Sequence, residues 1–502
     1  MIKTAYQYHR DTGYTRGRIQ GHYLDWPNQP DVFKEYQGIN QIYLPEEIPA
    51  PKKSLLSILK ETAIDSTFRE IDINDLALIL RLTCCLTAKA RHSGKTFYYR
   101  SSASAGALYP TEIYVATSKI KGLDDGLYHF EIHSHSLSPL RAGDLADHIS
   151  KLTFHPDGKL PTLTFVFTAI SFRSSWKYRD RAYRYNLLDT GHVMENLFIA
   201  MKALKLPLDV SYDFNDVEVN KLIGVDGTKE VALAVAAVSG PGTISDSGAL
   251  KIEELPENIL NMSIVSGQEK DYPIIGKIHK AGEMLEARDD PEPYIPKSLA
   301  LIPETWQSLP GPFSRTEDID YPECLFMRRS SRNFVNAPIA KGKFYSLLDS
   351  LCLNDPTTLK IEAGRPHPLC VGFLTENIEG ITSGLYVLDS VKRRFGIVSS
   401  GSFIKKMAHV CLDQEWLRNA GVHFLFIGNP GLLDRTWGPR GYRFAMMAAG
   451  QLGQRIYIAA TSLKLGCCGI GAFYDREAAE LIGLGGESWL LYLVAVGKVK
   501  HL

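Results

Sequence analysis

The sequence is poor in the features that mark secreted, metal-stapled, membrane-spanning or nucleic-acid-binding chains. Its 502 residues hold eight cysteines, four of them in adjacent pairs (Cys84-Cys85 and Cys467-Cys468). Neither arrangement has the spacing of a disulfide framework or a zinc site, and a reducing cytoplasm fits best. No charge of one sign predominates: Lys plus Arg and Asp plus Glu each number 56. That balance removes the general electrostatic reason to expect nucleic acid or an anionic membrane, leaving a small-molecule or protein partner. No run approaches the roughly 18 apolar residues of a membrane span. The opening "MIKTAYQYHRDTGYTRGRIQ" lacks the apolar stretch of a signal peptide. A soluble, cytoplasmic protein is expected.

What the chain does contain is a duplication. Its length already predicts two domains. "YRYNLLDTGHVMENLFIAMKALKL" (183 to 206) aligns without a gap to "YRFAMMAAGQLGQRIYIAATSLKL" (442 to 465), at an offset of 259 with eight of 24 positions identical. The offset persists from "TLTFVFTAI" at 162 to "GVHFLFIGN" at 421, and from Phe214, Asp216 and "LIG" (222 to 224) to Phe473, Asp475 and "LIG" (481 to 483). The organisation expected is an N-terminal extension (1–50), a first domain (51–243), a charged, Pro-bearing linker (244–320) with a helix-like fragment near 275 to 287, and a second domain (321–502).

Each copy reads as mixed α/β. Val193, Leu197, Ala200, Met201 and Leu204 form one stripe of a helix, as do Leu452, Ile456, Ala459 and Leu463 in the second copy. Short β-branched and aromatic runs such as "LTFVFTAI" and "WLLYLVAVG" read as strands covered on both faces. A sheet flanked by helices, made twice and packed as a pseudo-dimer, is the architecture expected.

The differences between copies point to one site. In "RRSSRNF" (328 to 334) an extended backbone puts Arg328, Ser330 and Arg332 on one face and Arg329 and Ser331 on the other. Two guanidinium forks and a hydroxyl suit a phosphate, whereas the first copy has "TAIDS" (62 to 66) there. Standing alone, such a run more often marks a solvated face; the missing counterpart favours the site. Conversely "RSSASAGALYP" (100 to 110) offers small residues that let backbone groups approach a flat ring, where the second copy has "TLKIEAGRPHP" (358 to 368), with Glu362 at the place of Ser104. Only the second copy has the Gly-rich turn "GCCGIGAF" (466 to 473), opposite "PLDVSYDF" (207 to 214). Its spacing is GxxGxG, not the dinucleotide fingerprint.

Together "RSSASAGALYP", "WKYRDRAYRYNLLDTGH" and "RRSSR" resemble the FMN-dependent nitroreductase superfamily, in particular its SagB-type dehydrogenase branch, over about residues 50 to 243 and 321 to 502. The resemblance implies an α+β class with two tandem nitroreductase-like α/β sandwich domains, forming within one chain the pseudo-dimer that binds FMN at its interface. It assigns the clamp Arg328, Arg329, Ser330 and Arg332 to the FMN phosphate or ribityl chain, and Ser102, Ser104, Ala105 and Gly106 to the isoalloxazine wall. Gly469, Ile470 and Gly471 would present backbone near the flavin, and Lys498 and Lys500 a further basic phosphate contact. A Lys-Tyr pair implicated in catalysis in azoline-oxidising members maps to Lys177 and Tyr178, where the second copy has Thr436 and Trp437. The chain departs from the family at Ser102, which replaces a proline.

The function implied is two-electron redox chemistry on a small-molecule or peptide-borne heterocycle at one interdomain flavin, with a lysine or tyrosine moving the accompanying proton. A NAD(P)H-dependent nitro- or quinone reductase and a catalytically silent flavin binder remain open, as does pairing of whole chains into a homodimer. Lys177 and Tyr178 could instead simply border a helix. His192 reads as a core or interface histidine near a helix start, and Cys467 and Cys468 as buried thiols without a redox disulfide.

Overall fold

The computed structural model describes residues 3–19, 21, 23–61, 69–92, 95–154, 158–244, 252–286, 301–311, 319–352 and 368–500. Two seven-stranded antiparallel sheets have the same strand order, position for position. The first runs from edge to edge through Ile42–Tyr43, Ser136–Ala142, Gly126–Glu131, Thr111–Thr117, Lys159–Ile170, Glu230–Thr243 and Asp209–Ser211. The second runs through Thr305–Ser308, Arg394–Ser400, Gly384–Asp389, Cys370–Thr375, Val422–Gly428, Trp489–Gly497 and Gly466–Ile470. The class is α+β, as expected.

Strands such as Thr111–Thr117 and Val422–Gly428 are buried along their whole length because helices cover both faces. On the outer face of the first sheet, Ile149 and Leu152 from one short helix and Val219, Leu222 and Ile223 from another meet Tyr114, Val166 and Val235. Ile404, Met407, Ala478 and Ile482 do the same on the second. The inner faces share one core, in which the long helices Ala182–Ala203 and Gly441–Ser462 lie between the sheets.

Every residue of those two helices is buried, because each packs on its own sheet on one side and on the other helix on the opposite side. The apolar stripe in the sequence therefore marks only part of a wholly covered surface, and His192 lies mid-helix rather than near the start. Both helices stop the same way: Lys205 and Lys464 adopt left-handed backbone (φ 58° and 54°). Leu206 and Leu465 then donate back to Met201 O (2.9 Å) and Ala460 O (2.8 Å), satisfying carbonyls left over at the helix end. Where the helices cross, Gly191 meets Gly450; a Cβ on either would fall 2.1 Å from a carbonyl oxygen of the other helix.

The segments expected as extension and linker prove to be structural counterparts of each other. The helix Ala5–Asp11 brings His9 Nδ1 within 2.9 Å of Tyr442 Oη, and the helix Pro273–Ala281 brings His279 Nδ1 within 3.3 Å of Tyr183 Oη. Asp475 accepts from Arg181 (2.8 Å) and Arg184 (2.6 Å), and from Tyr14 N–H (2.8 Å). Asp216 accepts from Arg440 (2.6 Å) and Arg443 (2.7 Å), and from Met284 N–H (2.8 Å). Each carboxyl is thus held below the usual range by two guanidinium groups that outweigh its burial. Farther along, Ile42–Tyr43 and Thr305–Ser308 supply the matching edge strands of the two sheets. Ser54 and Asp320, each just before a short helix, pair with one another. Two arms therefore lie along the seam, each tying an arginine pair of one copy to an aspartate of the other.

Candidate active site

The loop after strand Lys95–Arg100 is a run of unusual backbone: Gly106, Ala107 and Tyr109 all have positive φ (67°, 55° and 46°). Such conformations persist only where the surroundings fix them. Here the fixing group is Asp189 of the first central helix. Its carboxylate accepts from Ser104 Oγ (2.5 Å) and from Ala105 N–H (3.2 Å), while Ser104 Oγ accepts from Tyr109 N–H (2.9 Å). Burial pushes the Asp189 carboxyl up to about 7, against the opposing effect of those hydrogen bonds.

Lys177 and Tyr178 end the helix Ser171–Tyr178, which the left-handed Arg179 terminates. Both reach the loop at Gly106. A Cβ there would meet Tyr178 Oη at 2.9 Å and Lys177 Nζ at 3.1 Å, so a side chain would have to displace one of these two tips, and the positive φ also favours glycine. The Tyr178 ring lies 4.2 Å, centroid to centroid, from that of Tyr185. Burial lowers the Lys177 ammonium, and the positive charge of Arg332 lowers it further. Burial also raises the Tyr178 phenol well above its ordinary value.

These groups face a cavity of about 160 Å³ between the copies. The first copy lines it with Ala103, Ser104, Ala105, Gly106 and Tyr178; the second lines it with Ser330, Arg332, Tyr457, Gly469, Ile470 and Gly471. Ser330 and Arg332 stand exposed at its rim. Ser330 Oγ lies 2.9 Å from Tyr457 Oη, which also accepts from Gly469 N–H (2.6 Å). Gly469 and Gly471 leave room for ring walls: a Cβ would lie 1.8 Å from Tyr492 Oη at the first and 2.6 Å from the Tyr185 ring at the second.

Other members of the expected site lie outside this lining. Arg328 is buried in the seam, donating to Ser101 O (2.7 Å) and Arg100 O (2.9 Å), with its Nη1 lacking a partner among the described residues. Arg329 turns the other way, to Phe326 O (2.9 Å) and Thr87 Oγ1 (3.1 Å). Ser102 is buried behind the loop. Lys498 and Lys500 are exposed, and their backbone pairs with Val335 and Asn333, just beyond the clamp. His192 is a buried bridge to the second copy, 2.8 Å from Gln454 Oε1 and 3.1 Å from Tyr492 Oη, and burial lowers it to about 4.

The pseudo-symmetric position is built differently. Tyr212 stands where the cavity has Gly471, its ring 5.4 Å from Phe444, the counterpart of Tyr185, and its hydroxyl donating to Gln451 (3.3 Å). Ala448 occupies the place of Asp189. The segments 62–66 and 358–367, where the remaining expected asymmetry falls, lie outside the described residues.

Asp189, Tyr185, Tyr457 and Tyr492 went unread in the sequence. The pairing of Asp189 with Ala448 does not stand out in the sequence, because only eight of the 24 aligned helix positions are identical. The donor set fits a flavin nucleotide. A wall of small residues faces a glycine-rich backbone, and Arg332 supplies cationic charge at the rim. Among the described residues no cluster of metal-ligating side chains occurs, and no helix is long and apolar enough to cross a membrane.

The chain belongs to the nitroreductase family, whose sequence profile matches residues 49–240 and 379–498. It is a tandem-domain member, with two copies of the family's fold in one chain, and it is an oxidoreductase. A crystal structure of an Anabaena variabilis protein named as a nitroreductase superposes with a TM-score of 0.77 at 25% identity, covering 99% of this chain and 100% of that one. A Methanocaldococcus jannaschii protein named as a nitroreductase is 26% identical over 185 residues, 36% of this chain and 92% of its own. The trifolitoxin-processing protein TfxB of Rhizobium leguminosarum bv. trifolii is 25% identical over 179 residues, 34% of this chain and 47% of that protein.

Proposed function

We propose that the chain is an FMN-dependent oxidoreductase of the SagB type, acting on a small-molecule or peptide-borne heterocycle at one flavin site between its halves. The observation that carries this reading is the convergence at Gly106, where Lys177 Nζ and Tyr178 Oη crowd a small-residue loop that faces Arg332 and Ser330 across the cavity. The resemblance to a trifolitoxin-processing protein supports the peptide-borne alternative.

Bound there, FMN would supply the two-electron chemistry that side chains lack. Ser104, Ala105 and Gly106 would wall its ring on one side and the Gly469–Gly471 backbone on the other, with Arg332 and Ser330 toward the phosphate. Arg328 holds the two walls together. Lys177, with its ammonium lowered by burial and by Arg332, gives up its proton more readily than an ordinary lysine and is suited to proton transfer. Tyr178, its phenol raised, stays protonated and donates or orients.

Purified protein reconstituted with FMN should be yellow and hold about one flavin per chain. Lys177→Met and Tyr178→Phe should each lower turnover of a heterocycle donor by on the order of 10²-fold with flavin content unchanged. Protein that stays colourless after reconstitution refutes the flavin site. Bleaching by NAD(P)H with no response to heterocycle donors would favour a nitro- or quinone reductase instead.

A further inference from the structure

A second chamber adjoins the cavity. It encloses about 810 Å³, and Gly106 lines both spaces, Lys177 facing the larger and Tyr178 the smaller. The Lys-Tyr pair therefore forms the partition, and whatever enters the larger chamber reaches the reactive side of the smaller one past these two residues.

The outer wall is the arm segment from Leu24 to Gln37. Cations of the first copy fix it through its own carbonyls: Arg173 donates to Asp31 O (2.7 Å) and Arg100 to Val32 O. Trp176 Nε1 donates to Asp25 O (2.8 Å). Lys34 is wholly buried against Glu230 (2.7 Å) and Tyr114 Oη (2.7 Å). Lys34 and Tyr36 are buried, whereas Asp31, Glu35 and Gln37 are exposed and line the chamber beside Phe33.

Thr96, Phe97 and Tyr98 also line the chamber, with the Tyr98 ring 4.9 Å from that of Phe33. Three consecutive residues of a strand cannot share a face, so the chamber meets Lys95–Arg100 along its edge. That strand pairs with Leu86–His92 on one side; among the described residues no strand covers the other. An uncovered edge is a template for an added strand.

The exposed charges with which the arm lines the chamber are both acidic, whereas the lining cations are the buried Lys34 and the half-buried Lys177. The Lys34 ammonium is matched by Glu230, and the Arg173 guanidinium is shared between Glu112 and backbone carbonyls. Arg100 lies over the Phe33 and Tyr109 rings. His133 touches Glu35 at 3.1 Å, and Lys177 sits at the partition. Asp31 and Glu35 thus make the outer wall acidic, which suits a cationic visitor and repels the phosphates of a pyridine nucleotide.

We infer that this chamber binds an extended basic peptide segment, whose backbone pairs with the open edge of Lys95–Arg100 while its cationic side chains meet Asp31 and Glu35, presenting the neighbouring residue to Lys177 and Tyr178. The inference rests on the proposed flavin chemistry and names its substrate class. It assigns the N-terminal arm a recognition role beyond its structural one.

The test is fluorescence anisotropy on the full chain, purified with its flavin. The probes are two labelled ten-residue peptides of identical apolar content, one bearing two lysines and the other two glutamates. The lysine peptide should bind about tenfold more tightly, as expected for two exposed ion pairs, with a preference that weakens as salt rises. The double variant Asp31→Lys/Glu35→Lys should invert the preference while thermal midpoint and flavin absorbance stay as in the parent. N-methylation of the lysine peptide's central amides should weaken it severalfold. Equal binding of both peptides, binding of neither, or a preference unaltered in the double variant overturns the inference. Colourless protein that still discriminates between the peptides would refute the flavin reading alone.

Discussion

Substituting Gly191 by alanine tests the seam at its tightest point. The added Cβ would lie 2.1 Å from Met447 O, 2.9 Å from Met447 C and 3.0 Å from Gly450 Cα. All three atoms are backbone, so no rotamer change relieves the clash, and the helices must part by about 1 Å to reach ordinary contact. Overpacking of this kind costs about 1–3 kcal/mol, and the upper end applies because backbone is displaced. Alanine recovers about 1 kcal/mol of helix propensity over glycine. The net loss is about 2 kcal/mol, or about 4–8 °C in thermal midpoint for halves of this size. Gly450→Ala should cost the same, since its Cβ meets Leu188 O at 2.1 Å. The double variant should cost little more than either single one, because one parting accommodates both methyl groups. Differential scanning fluorimetry on the four proteins reads this directly. Single variants melting with the parent, or a double variant falling by the sum of the two, would refute the close crossing.

Gly471→Tyr should install in the cavity the ring that Tyr212 places at the twin position, giving flavin-free protein by absorbance with a midpoint within about 3 °C of the parent; retained flavin would show that the cavity is not where FMN sits. The Asp189 carboxyl, raised to about 7 from an ordinary 3.8, binds its proton more tightly in the folded chain. Its stabilising effect is complete below pH about 4 and is lost as pH rises through about 7. Asp189→Asn should therefore flatten the decline of apo-protein midpoint between those values, and an unchanged slope would count against the burial of this group. Because the Arg332 charge adds to burial in lowering Lys177, Arg332→Gln should move the Lys177 limb of the pH-rate profile to higher pH. It should also weaken FMN binding about tenfold at low salt, as measured by flavin fluorescence.

The duplicated core is legible because buried helices and strands hold their volume: Tyr183, Arg184, Gly191 and Ile199 recur as Tyr442, Arg443, Gly450 and Ile458 at one offset. The arms escape the same reading because only His9 and His279 match in type while the spacing slides from 259 to 270, leaving geometry to reveal the shared contacts. In the clamp, strand alternation puts Ser330 and Arg332 on one face, and both line the cavity. It misses that Arg328 is the C-cap of helix Tyr321–Met327, which aims its side chain into the seam before the extended run begins. Asp189 hides because an acid in a helix ordinarily reads as solvent-facing; only its anchoring of Ser104 and Ala105 distinguishes it.

The paired aspartates also limit how the molecule can move. Asp475 and Asp216 are each gripped by two buried arginines of the opposite half and capped by an arm, so drawing the halves apart would break four buried ion pairs at once. A book-like opening is therefore disfavoured, and traffic in and out is left to the doorway, where Arg332 stands exposed over the Trp416 ring on one jamb and Lys177 stands on the other.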